Sequence, residues 1–272
     1  MCYDCIKSFQ IGAFCMQDFK QVLTEEMYSR QEELTFWDCD RDMRVRVAAI
    51  LSKIGAFGGY HYDALGFPRE MLIEKGFVFL LSRTSVHFHR VPRASEVLTI
   101  NTWENGARGA QVQRVFQMLD EAGSLCISAR SDWVLADPNT HKMLRPSAFT
   151  LRPLGKCPVE IDCPEPKKII LPKEGLEELG GRKVVWSDLD GNGHLFSGNY
   201  GDIVWDYLPA DLQGRTVKEF AINYSREAKF GDSLRIRGIR EENAYLMEGL
   251  GSGGVCFTAR CVFSGEEGIA EK

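Results

Sequence analysis

The sequence contains no run of eighteen or more apolar residues, which excludes a helix that spans a bilayer. Positive charge is scarce as well. Lys and Arg number 33 against 38 Asp and Glu, a net charge of -5, and without a basic field nucleic acid is not an expected partner. The N-terminal stretch MCYDCIKSFQIGAFCMQDFK lacks the basic start and apolar block of a signal peptide, and its Asp4 and Asp18 are residues a transit peptide avoids. A cytoplasmic protein that stays off membranes is the expectation. Nine cysteines, an odd count, are spread too thinly for a disulfide scaffold, and the lone CxxC at Cys2 and Cys5 has no second pair at zinc-ribbon spacing. Free thiols are therefore expected. There is no GxSxG elbow for a serine hydrolase, and Gly251-Ser-Gly-Gly254 lacks the spacing and the following helix of a dinucleotide loop. His87 and His89 form an HxH on a predicted strand, with no further ligand at suggestive spacing, so neither a metal nor another cofactor is expected.

What is present is an ordinary globular composition, 44% hydrophobic and 26% charged over 272 residues, enough for one large domain or two modest ones. Six of the ten prolines fall between Pro146 and Pro172, which predicts an extended linker there. The chain then divides into an N-terminal extension (1–26, with Met27 as an alternative start), a first half (27–145), the linker (146–180) and a second half (181–272).

Each half runs in the same order. Phe36-Trp-Asp-Cys-Asp40 and Trp186-Ser-Asp-Leu-Asp190 open them, and a helical pattern follows each. Val47, Ile50, Leu51, Ile54 and Phe57 mark the first helix, taken to span Met43 to Leu65; Tyr200, Ile203, Val204 and Tyr207 mark the second, stopped by Pro209. Four strand candidates come next in both: 84–88, 96–103, 110–120 and 125–136, then 216–225, 233–239, 244–249 and 255–263. A shift of 136 residues lays Ser85–Ile100 over Ala221–Ile236, so that Phe88 meets Tyr224 and Arg90 meets Arg226. One helix wrapped by antiparallel strands, used twice, predicts an α+β double hot dog fold.

Asp190, Asn192 and His194 stand at alternate positions, with glycines between them that let backbone approach a ligand. A carboxylate can take a proton from water, while an amide and an imidazole can hold the water or a carbonyl. The helix expected to start near Ser197–Asn199 could add N–H groups for an oxyanion. The same residues would also serve a turn and a helix cap. Comparison of the halves favours chemistry: aligning Asp40 with Asp190 puts Asp42 opposite Asn192 and Arg44 opposite His194, and the shift of 136 puts Val91 opposite Glu227.

The run WSDLDGNGHLFSGNYGDIVWDYLP (186–209) with YSREA (224–228) resembles the plant and bacterial fatty acyl-acyl carrier protein thioesterases, whose stretch reads roughly DLDxNxHxNNxxYxxWxxE with YRxEC or YRxEA downstream. The first half is similar through Leu81–Trp103 and Ser128–Ser147, and the likeness covers about residues 28 to 265. The resemblance implies a thioester hydrolase with Asp190, Asn192, His194 and Glu227 as its catalytic residues, water being activated by Glu227 or Asp190. Where plant members carry a cysteine after the glutamate this chain has Ala228, so water attack is expected in place of a covalent cysteine route. Ser197-Gly198 departs from the family's second asparagine. The implied partner is acyl carrier protein, with acyl-CoA hydrolysis or non-catalytic acyl binding as alternatives, and the chain as monomer or homodimer. Seven basic residues against three acidic ones between Arg215 and Arg240 would suit docking of an acidic carrier.

Overall fold

The computed structural model describes residues 19–264. The CxxC and the rest of the first eighteen residues lie outside this range. Strands β1 (Gln21–Leu23) and β2 (Tyr28–Glu33) lead into helices α1 (Val47–Ala64) and α2 (Arg69–Glu74), followed by strands β3 (Val78–Phe88), β4 (Val97–Arg108), β5 (Gln111–Leu119) and β6 (Leu125–Ala136). After the linker come β7 (Glu177–Lys183), α3 (Asn199–Asp206), α4 (Ala210–Gln213), β8 (Val217–Tyr224), β9 (Ser233–Arg240), β10 (Ala244–Gly251) and β11 (Gly254–Phe263).

The eleven strands among the described residues form one antiparallel sheet in the order β1-β2-β4-β5-β6-β3-β8-β11-β10-β9-β7. Apart from β1 the order is palindromic: β2, β4, β5, β6 and β3 of one repeat mirror β7, β9, β10, β11 and β8 of the other. The seam is β3 against β8, and Ser85 pairs there with Ala221. Those two residues are equivalent under the shift of 136, so a pseudo-twofold axis passes through this pair. The double hot dog expected from the sequence is the fold observed.

Helix α1 buries Ile50, Leu51, Ile54 and Phe57 completely against the sheet. It ends where Gly66 turns left-handed at φ 82° and Phe67 N caps Tyr62 O, with Pro68 next. The helix starts later than expected. Met43 has φ 62° and closes a turn onto Asp40 O, so residues 43–46 belong to a loop and the helix begins at Val47. Helix α3 crosses α1 at close range. A Cβ on Gly201 would sit 2.7 Å from Ala48 N, and one on Gly198 would strike Ser52 Oγ, so small residues let the backbones meet.

Three strands were not anticipated, the short β1 and the two that open the repeats. β2 (YSRQEE) and β7 (EELGGRK) precede the aromatic segments, flank the sheet, and carry too few apolar residues to show a period of two. Residues 177–180, counted with the linker above, are the start of β7. β3 also begins six residues before the expected Thr84, because Val78–Leu81 pair with Ala136–Trp133 of β6. The Pro-rich segment opens with a 3-10 turn at Pro146–Ala148, then runs without helix or strand to β7 and crosses the outer sheet face, where Cys157 and Ile161 cover Trp103 and Val115. Among the described residues Cys39, Cys126, Cys157, Cys163, Cys256 and Cys261 are free thiols.

Candidate active site

Asp190 builds the loop that carries the other residues. Its Oδ1 accepts from Asn192 N at 2.8 Å and His194 N at 3.2 Å, its own N–H donates to His194 O at 2.8 Å, and Gly193 N donates to Asp190 O at 3.0 Å. Gly193 adopts φ 77°, which glycine accepts without strain. The loop is tied to the segment after β8 by Leu195 N donating to Ala228 O at 2.8 Å and by a bridge between His194 and Lys229. Tyr224, whose hydroxyl pKa burial pushes up, donates to Ser197 O at 3.1 Å and fixes the approach to α3.

This fastening sets His194 Nε2 3.1 Å from Glu227 Oε2, with Lys229 Nζ 3.9 Å from the same oxygen. His194 is mostly covered and Glu227 about half exposed, at 25% and 45% of their side-chain surface. Asn192 turns its Oδ1 to accept from Arg69 of α2, and its Nδ2 lies 3.4 Å from Asp190 Oδ2. Asn192, His194 and Glu227 line a cavity of about 880 Å³ that runs into the first repeat along α1, where Gly55, Gly58 and Gly59 thin the wall. Asp190 does not line it.

The first repeat repeats the turn and omits the rest. Asp40 Oδ1 accepts from Asp42 N and Arg44 N at 2.8 and 2.9 Å, and Met43 at φ 62° stands where Gly193 is. Arg44 then bonds Asp42 and Gly214 O in place of meeting a glutamate, beside Val91 and a smaller cavity of about 350 Å³. The aspartate turn is thus scaffold in both repeats. The cavity-facing pair of His194 and Glu227 occurs in the second alone.

Two expectations change. Helix α3 starts at Asn199, within the expected range, but Asn199 N donates to Phe196 O and Gly201 N to Gly198 O, and Gly198 and Gly201 are packed on α1. Those two N–H groups are therefore already engaged and do not face an oxyanion. The HxH also has a neighbour that sequence spacing hid: Asp162, from the linker, brings a carboxylate within 4.8 Å of ligand atoms of His87 and His89. His89 Nε2 is 3.0 Å from Ser128 Oγ, which ties that nitrogen up. Sequence reasoning missed Arg69, whose only local signal is Pro68 before the short run REMLIE. No helix among the described residues is long and apolar enough to cross a membrane.

Residues 25–147 match the acyl-ACP thioesterase N-terminal domain and residues 177–250 the acyl-ACP thioesterase C-terminal domain, ACP being acyl carrier protein. No curated protein sequence matches the chain. Among solved structures, an acyl-ACP thioesterase from Bacteroides thetaiotaomicron superposes with a TM-score of 0.78 at 23% identity, over 88% of this chain and 98% of that one. A 12:0-ACP thioesterase from Umbellularia californica superposes with a TM-score of 0.74 at 17% identity, over 90% of this chain and all of that one. These likenesses show the shared fold, and the two domain matches, which together span most of the sequence, place this chain in the acyl-ACP thioesterase family of thioester hydrolases.

Proposed function

We propose that the chain hydrolyses the thioester of fatty acyl-ACP to free fatty acid and carrier protein, with Glu227 as the proton acceptor. The observation that carries this is the pair of His194 Nε2 and Glu227 Oε2, 3.1 Å apart at the wall of an 880 Å³ cavity. His194 donates its Nε2–H to one carboxylate oxygen and holds the group in place. The other oxygen takes a proton from water as the water oxygen bonds to the thioester carbon. The tetrahedral intermediate then expels the thiolate, which recovers the proton from Glu227, leaving acid and thiol. Asn192, its Oδ1 held by Arg69, offers an Nδ2–H to the carbonyl oxygen.

Asp190 has a different part. Two backbone N–H groups occupy its Oδ1, as they do in Asp40, so its task is to shape the loop that sets Asn192 and His194. Ala228, fully buried, leaves no thiol for covalent catalysis at this place. The test is hydrolysis of a chain-length series presented on ACP and on CoA. Release of free acid from the ACP series at higher kcat/KM supports the reading. Turnover of CoA esters alone, or of neither, would refute it.

A further inference from the structure

The inward row of β4 runs Leu98, Ile100, Thr102, Glu104, and that of β5 runs Met118, Phe116, Arg114, Val112. Leu98, Ile100, Met118 and Phe116 pack with α1 in the main core. Both rows turn polar where the cavity begins: Glu104 and Arg114 face each other across the strands, line the cavity, and are only 2% and 4% exposed. A charged pair in an acyl-binding cavity calls for a partner or a purpose.

Glu104 is fully engaged. It accepts from Tyr62 Oη at 2.7 Å, Arg152 Nη2 at 2.7 Å and Gly155 N at 2.6 Å. Burial works against its charge, yet Arg114, Arg152 and these donors outweigh burial and hold its pKa below the usual carboxylate value. Arg114 lies over the Tyr62 ring at 5.6 Å, and of its donors only Nη1 finds a hydrogen-bond acceptor among the described residues. Its Nη1 donates to His61 Nδ1 at 2.9 Å and lies 3.3 Å from Thr102 Oγ1. An arginine cannot accept, so His61 is the acceptor and neutral, in line with burial and the neighbouring Arg114 lowering it to about 4. Nη2 stands 3.7 Å from Glu104 Oε1, beyond hydrogen-bond reach, and neither Nη2 nor Nε has an acceptor among the described residues. Two arginines thus meet one carboxylate, with His61 and Tyr62 neutral. Asp63 and Asp137 also line the cavity, but Asp63 is exposed and Asp137 is spent on the backbone of its own turn, at Asn139 and Thr140.

We propose that Arg114 is a subsite for an oxygen acceptor on the distal part of the acyl chain. The preferred substrates are then acyl groups carrying a hydroxyl, keto or carboxyl oxygen far from the thioester. This rests on the thioesterase reading above and names its substrate class. A plain alkyl chain reaching Arg114 would cover its Nε and Nη2 donors with carbon and leave them desolvated, whereas an oxygen replaces the lost water. Plain chains are served only if they stop short of it.

The experiment loads ACP with matched acyl pairs of equal length, one plain and one oxygenated near its end, and measures kcat/KM for each. Wild type should favour the oxygenated member by about tenfold or more. Arg114→Met should reduce that ratio to below about twofold. Gly58→Ala guards against a folding artefact: its Cβ would lie 3.7 Å from Arg114 Cδ and Nε, an ordinary contact that covers Nε without disturbing α1. It too should lower the ratio. Equal rates within each pair, or preference for the plain chain, would overturn the subsite while leaving the thioesterase standing. If no acyl-ACP is hydrolysed the thioesterase reading fails instead, and calorimetric titration of the matched free acids decides the subsite: tighter binding of the oxygenated acid upholds it, and equal binding overturns it.

Discussion

His194 Nε2 stands 3.1 Å from Glu227 Oε2, and the matched places in the first repeat hold Arg44 and Val91. The fold supplies the same strand, turn and helix twice. The His194–Glu227 pair occurs once, on an aspartate turn that both copies share.

The turn itself gives the first prediction. Asp40→Ala and Asp190→Ala each remove a carboxylate that receives two backbone N–H groups, so each should lower stability by about 1–2 kcal/mol. Urea unfolding monitored by circular dichroism should find the two losses similar. Only Asp190→Ala should also depress kcat, because only that loop carries His194.

A second prediction concerns the helix crossing. Gly201→Ala would drive a Cβ to 2.7 Å from Ala48 N and 2.8 Å from Ala48 Cα, backbone that cannot step aside, at a cost of about 1–3 kcal/mol. Gly55, also in a helix, has open space around its would-be Cβ, and Gly55→Ala should stabilise by up to about 1 kcal/mol. Thermal melts of the two variants should shift in opposite directions.

Much of this architecture was legible in the sequence, where periodicity is local. Ile50, Leu51, Ile54 and Phe57 announced the inner face of α1, and one shift of 136 showed Ser85 and Ala221 to be equivalent, though not that they pair across the seam. The Asp190 loop was legible because Asp40 supplied its comparison. What escaped depends on assembly. β2 and β7 are polar flanking strands whose pairing shows only in the sheet. Glu104 and Arg114 look like surface charges until β4 and β5 turn them inward, and Arg69 meets Asn192 across more than a hundred residues of chain. The proposal of Glu227 over Asp190 as proton acceptor also rests on hydrogen bonds that no spacing reveals.

The buried histidine predicts a pH dependence. His61 has its pKa lowered to about 4 by burial and Arg114, against 6.5 when unfolded. The unfolded chain therefore binds the extra proton first as pH falls, and stability drops from about pH 6.5 down to about pH 4. Between pH 7 and pH 5 this group should cost about 2 kcal/mol. Urea unfolding at the two pH values should show it, and His61→Gln, which keeps an acceptor for Arg114, should show a smaller drop.

Carrier docking gives a fourth. Of the basic residues between 215 and 240, Arg237 is held by Glu248, Arg240 by Asp211 and Arg215 by Ser264 O, which leaves Lys218, Arg226, Lys229 and Arg235 exposed. Arg235→Glu, away from the Lys229 that lies beside Glu227, should raise KM for acyl-ACP several-fold and leave KM for acyl-CoA nearly unchanged, with the difference shrinking at high salt. Equal effects on both substrates would argue against docking there.

Single-turnover hydrolysis of acyl-ACP by Glu227→Gln bears most directly on the central claim, that Glu227 takes the proton from water. The substituted amide keeps the size of the side chain and can still accept from His194, so the melting temperature should stay within a few degrees of wild type. The rate should fall by about 10²–10⁴-fold. A rate within threefold of wild type, with the fold intact, would contradict the account.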